Sequence, residues 1–266
     1  MSTPVKTEEQ SFDLTPLLTP ISIFLSAILI SATLFFSLRG VTLGTTGTTA
    51  AAGSTSSAAA KETVTVTELD YQGGPVIGDA NSNLIMVEYT DFQCPFCKRN
   101  YDQTYPSLKK DYIDTKKIAY ISKNFPLDFH PSAQKSAEAS ECAQEQGKYW
   151  EMHDKMFGVS TSDGATLLVA NLKQYARDLG LDGAKFDSCL DSGKYASAIT
   201  ASAATGQTVG VTGTPGFFVG TKSGTNKVKG FLVPGAYPYA SFDTILKDIA
   251  ASGVDVAAKN FENSIN

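Results

Sequence analysis

Two of the chain's four cysteines, Cys94 and Cys97, stand three residues apart in the stretch TDFQCPFCKRN, where a strand-like run gives way to a helix-like one. The first run, NLIMVEYTDF at residues 83–92, is rich in the β-branched and aromatic side chains that suit a covered, pleated surface. Pro95 follows Cys94 directly, and proline is accommodated at the first helical position, where its missing N–H has no partner to lose. Residues 97–112 have helical character, and KIAYISKNFPL at residues 117–127 reads as a second strand. Strand, helix and strand in succession form the β-α-β unit of parallel sheets.

Downstream, residues 130–206 are alanine-rich and broken by glycines, which suggests about four or five helices in a row. GTPGFFVG and KVKGFLVPG then read as two short strands joined by a turn around residues 223–226, and SFDTILKDIAAS as a last helix. The expectation is an α/β sheet covered by helices, with a helical insertion and no internal repeat. The 266 residues are 42% hydrophobic and 18% charged, enough for a sizeable core. The net charge of -5 gives no electrostatic reason to expect nucleic acid, which favours a basic stripe. Residues 1–61 balance Lys6, Arg39 and Lys61 against Glu8, Glu9 and Asp13, so the acidity belongs to the remainder.

From Leu14 to Leu38 no side chain is charged. At about 1.5 Å per residue this run reaches roughly 37 Å, against a hydrocarbon core of about 30 Å. It reads as a membrane-spanning anchor at residues 14–39 rather than a cleaved signal peptide, whose apolar region is shorter and ends in a small-residue site. Lys6 and Arg39 leave its orientation open. Residues 40–61 are mostly Gly, Ser, Thr and Ala and read as a flexible linker.

With Cys94 as the N-cap, its sulfur faces the unpaired N–H groups of the first helical turn and the positive end of the helix dipole. Both favour the thiolate and lower its pKa from about 8.5 toward roughly 3.5–7.5. Cys97, one turn on, lies within bonding reach, and an activated thiolate beside a resolving thiol suits disulfide exchange. Two other readings stand beside this one. The pair is half of a zinc site, completed from Cys142, Cys189, His130 and His153, or it is two inert buried thiols.

EYTDFQCPFC, NFPLDFHPSA, CAQEQGKYWEMHDKMF, FDSCLDSGKY and GVTGTPGFFVG together resemble the DsbA-like thiol-disulfide oxidoreductases of the thioredoxin superfamily, over roughly residues 75–250. The resemblance implies a thioredoxin-like domain at residues 62–128 and 207–266, interrupted by a helical insertion at 129–206. It implies Cys94 as the exposed nucleophile and Cys97 as the resolving thiol, with no bound cofactor and no metal. Pro215 matches the family's cis-proline, with Thr214 presenting backbone groups to substrate. Glu88 matches a buried acid that relays protons to the resolving thiol; the competing reading is a strand carboxylate facing solvent. Cys142 and Cys189 match a structural disulfide of some members. Phe96 departs from the strongly oxidising relative, which has histidine there; without a ring cation or N–H the couple is expected to be less oxidising.

Since disulfides persist outside the cytosol, residues 1–13 are expected on the cytoplasmic side and the domain outside, as a single-pass membrane protein. The implied activity is disulfide formation in exported proteins bearing cysteine thiols, together with a membrane redox partner. The alternatives are a reductase or isomerase of the same fold, or a non-enzymatic anchored binding module with structural or zinc-bound cysteines.

Overall fold

A computed structural model describes residues 62–266 of the chain. The anchor expected at residues 14–39 and the linker at 40–61 lie outside the described residues; among these, no helix is long and apolar enough to cross a membrane.

The sheet is six-stranded, in the order β1-β6-β5-β3-β4-β2. The strands are β1 (Thr67–Asp70), β2 (Val76–Gly78), β3 (Leu84–Thr90), β4 (Ala119–Asn124), β5 (Gly216–Gly224) and β6 (Lys227–Pro234). β3 and β4 are parallel, and every other neighbouring pair is antiparallel. Residues 85–90 of β3 are all buried, as expected of a central strand covered on both faces.

Alternation along β3 sends Met86 and Glu88 to one face and Ile85, Val87 and Tyr89 to the other. Met86 joins Phe217, Phe231, Phe242, Leu246 and Phe261 in one apolar cluster, whereas Ile85, Val87 and Tyr89 join Ile121, Val211 and Phe218 in another. Phe217 and Phe242 meet edge-to-face at 4.7 Å. Burying such a side chain contributes about 1.5–3 kcal/mol, so these clusters hold the layers together.

α1 (Pro95–Gln103) follows β3, as expected from the proline, but it does not run on to Tyr112. Pro106 has no N–H to donate, so the helix stops at Thr104 and resumes as α2 (Tyr105–Leu108) and a wide π turn at Lys109–Ile113. The helical insertion comprises α3 (Ala133–Gln144), α4 (Tyr149–Val159), α5 (Val169–Asp178), α6 (Gly183–Asp191) and α7 (Ala196–Thr208). α8 (Tyr239–Ser252) is the last helix read from the sequence. A further helix, α9 (Val254–Ile265), follows it and buries Val254, Ala257, Ala258 and Phe261. The short strands β1 and β2 were likewise not expected.

Candidate active site

Cys94 caps α1 with extended backbone (φ −67°, ψ 123°), and Pro95 occupies the first turn. The preceding turn is organised by Asp91. Its Oδ1 accepts the Gln93 N–H at 2.8 Å, its Oδ2 accepts the Leu127 N–H at 3.0 Å and meets His130 Nδ1 at 2.7 Å, and its carbonyl accepts the Cys94 N–H at 3.1 Å. Asp91 thus ties the cysteine turn to the segment after β4. The sequence reading passed over it, although an aspartate bonding the N–H two residues on is the signature of an Asx turn. Gln93 adds a second tie, accepting the Ser132 N–H at 2.8 Å and donating to the Ser162 carbonyl at 3.2 Å.

The Thr214–Pro215 bond is cis, and Cys94 Sγ donates to the Thr214 carbonyl at 3.3 Å. The resemblance implied an exposed nucleophile, yet Cys94 is only 2% exposed. It lies against Thr214 and belongs to an apolar cluster with Phe92, Cys97, Met152 and Phe157. Phe96 remains exposed beside it.

The two thiols are free and electrostatically unlike. The Cys97 S–H bonded to Cys94, with the backbone N–H groups of Cys97 and Phe96, outweighs burial and lowers the Cys94 pKa from its ordinary value to about 6. Cys97 is pushed well up, first by burial and then by the Cys94 thiolate and the Glu88 carboxylate. Cys94 is thus the thiol that ionises first: below about pH 6 its S–H donates to Thr214, and above it the dithiol favours a single charge, on Cys94.

Glu88 is buried, not solvent-facing; burial raises its pKa despite a hydrogen bond from Tyr120. The Tyr120 hydroxyl donates to Oε2, and the Asn100 amide donates to Oε1 at 3.3 Å. Cys142 of α3 and Cys189 of α6 are joined by a disulfide. His153 is buried amid the rings of Phe157, Trp150, Tyr105 and Tyr101, its Nδ1 2.9 Å from Asp154 Oδ1. Among the described residues no His, Cys, Asp and Glu side chains gather to hold a metal ion.

An α/β sheet interrupted by a helical insertion, with two unlike thiols facing a cis-proline loop, defines a thioredoxin-fold protein with the layout of a dithiol exchange site. Residues 70–230 match the family model Thioredoxin_4, described as Thioredoxin, and the chain belongs to that family. The fold is shared with oxidised BdbD from Bacillus subtilis (TM-score 0.61, 20% identity, covering 70% of this chain and 98% of that one). It is shared also with α-DsbA1 of Wolbachia pipientis (TM-score 0.55, 23% identity, 74% and 96%). Both likenesses are of fold: a thioredoxin-like sheet carrying a helical insertion. The Na(+)/H(+) antiporter NhaA 3 of Salinispora tropica is 37% identical over 145 residues, 54% of this chain but 21% of the antiporter. The chain thus spans about a fifth of the length of such relatives.

Proposed function

We propose that the chain is a membrane-anchored, extracytoplasmic protein thiol-disulfide oxidoreductase that forms disulfides in exported proteins. The observation that carries this reading is a pair of free thiols at the entrance of α1 with Cys94 against the carbonyl of the cis Thr214–Pro215 bond, a setting that moves Cys94 down to about 6 and Cys97 well up. A thiolate stabilised on Cys94 makes it the better leaving group and nucleophile, and so the sulfur that a substrate exchanges with.

In the oxidising direction a substrate thiolate attacks Cys94 of the Cys94–Cys97 disulfide. The mixed disulfide forms, Cys97 leaves and is protonated, and a second substrate thiolate displaces Cys94. A membrane redox partner then takes the two electrons from the dithiol. Thr214 and Pro215 line the approach: the Thr214 carbonyl that now accepts from Cys94 is the backbone group a bound substrate strand would engage. Glu88 supplies or removes the proton at Cys97. The Cys142–Cys189 bridge staples the insertion that packs beside the site. Anchoring rests on the uncharged run at residues 14–38, and the outward orientation on the chemistry.

The test is oxidation of a reduced, unfolded substrate by the oxidised protein. Catalysis lost in Cys94→Ser, with a mixed disulfide trapped in Cys97→Ser, is the expected result. Undiminished exchange in Cys94→Ser, or a tightly bound zinc ion released only by denaturation, overturns the reading. A reduction potential near about −270 mV rather than toward about −120 mV points instead to the reductase.

A further inference from the structure

Beside the C-terminal half of α1, a crevice of about 340 Å³ is lined by Arg99, Asn100, Gln103, Thr104 and the loop from Ala236 to Tyr239. Two hydrogen bonds fix its walls: Arg99 donates to the Ala236 carbonyl at 3.2 Å, and Thr104 donates to the Tyr237 carbonyl at 2.9 Å. Asn100 joins this crevice to the buried acid. It is 2% exposed, its Nδ2 donates to Glu88 Oε1, and its Oδ1 is buried with no protein partner. A buried amide oxygen left unpaired costs roughly 1–3 kcal/mol, so its retention calls for a role.

The amide can serve both states of Glu88. Nδ2 donates to the carboxylate; turned over, Oδ1 accepts from the carboxylic acid. The other groups facing Glu88 are Tyr120 from β4, which donates to it, Thr90 from β3, His153 from α4, and Cys97 from α1, with Tyr105 and Tyr149 nearby. Among these neighbours, Asn100 is the one that also lines the crevice.

We infer that Asn100 is the positioning residue of a proton route between Glu88 and water in the crevice beside α1. The inference rests on Glu88 acting as proton donor to Cys97. As substrate thiolate attacks Cys94, the Cys94–Cys97 bond breaks, the Cys97 sulfur leaves with the electron pair, and Glu88 gives it the carboxyl proton. The resulting carboxylate is held by the Asn100 amide and regains a proton from water in the crevice.

Steady-state oxidation of a small dithiol, with glutathione disulfide as the electron acceptor that restores the Cys94–Cys97 bond, is followed against pH for wild type, Glu88→Gln, Asn100→Leu and Asn100→Ala. Asn100→Leu fills the route, and turnover at about pH 8 falls by about tenfold, within the roughly 10²-fold that general acid–base catalysis supplies. Asn100→Ala is slowed as well, but opens space beside Glu88, and its rate rises with added imidazolium buffer while that of Asn100→Leu does not. A purely structural role for Asn100 would lower the melting temperature without creating buffer dependence. Asn100 variants that superimpose on wild type, while Glu88→Gln flattens the pH profile, overturn the route and leave the Glu88 role standing. A profile unchanged in Glu88→Gln itself overturns both.

Discussion

Phe96 sits between two sulfurs whose chemistry depends on donors, and it contributes only one, its backbone N–H to Cys94. Its ring is 54% exposed and lies 5.1 Å under the Arg99 guanidinium, which also donates to the Ala236 carbonyl. The Cys94 thiolate is thus supported by Cys97, the Thr214 side chain and the first helical turn, with no ring cation beside it. Phe96→His would add a ring N–H at that place, so the Cys94 pKa should fall below about 6. One pKa unit is about 1.36 kcal/mol and about 30 mV is about 1.4 kcal/mol for a two-electron couple, so each unit lowered should make the disulfide about 30 mV more oxidising. The sign with pH follows from the depressed value. The thiolate's contribution to the reduced protein is complete above the ordinary thiol pKa of 9.0 and is lost as pH falls through about 6. Thiolate absorbance, glutathione equilibria, and the unfolding of reduced against oxidised protein at about pH 5 and about pH 8 check this together. A potential unmoved in Phe96→His would mean that position 96 does not set it.

The disulfide between α3 and α6 closes a loop with a sequence separation of 47. In the chain-entropy account a loop of that size is worth about 4 kcal/mol, so the double variant Cys142→Ala/Cys189→Ala should lose up to that much stability in urea. Its Cys94 pKa should stay near about 6, because the groups that set it lie on α1 and at Thr214 of the cis-proline loop, not on the bridged helices. A large shift in that pKa would mean that the bridge sets the geometry of the dithiol. The same contrast between local and distant causes decides how much the sequence revealed. β3, the start of α1 and the β5–β6 hairpin were legible, because strand composition, a proline after Cys94 and paired apolar runs are local signals. The break at Thr104 was visible in Pro106 but was outweighed by the helical pattern around it. β1 leaves only Leu69 buried along TELD, and β2 is three residues long, so neither carries a pattern; both exist through pairing with β6 and β4. α9 buries alanines, which mark an apolar face weakly. The cysteines and Pro215 could be picked out from motifs. Asn100 could not, since it meets Glu88 only because alternation turns that side chain toward α1.

At the scale of the molecule, the described residues carry three apolar clusters of their own, on both faces of the sheet and in the helical insertion. The two ends of the domain also hold each other: the Asn266 amide accepts the Glu62 N–H and donates to the Glu62 carbonyl, both at 2.8 Å. The chain therefore enters the domain at a fixed point. A flexible chain of the length expected for the linker at residues 40–61 would have a root-mean-square reach of roughly 25 Å, which with the proposed anchor would confine the dithiol to a thin layer over the membrane. Within that layer, reaction with a membrane-embedded partner is set by an effective concentration rather than by the bulk one. A protein beginning at residue 62 should therefore melt at the same temperature and react with soluble thiols as the full chain does. Its reoxidation by membranes should become slower and proportional to its bulk concentration, and it should no longer sediment with them. Equal membrane-dependent rates for the full and shortened proteins would show that the partner is reached from solution, leaving the apolar run at residues 14–38 with some other task than delivery.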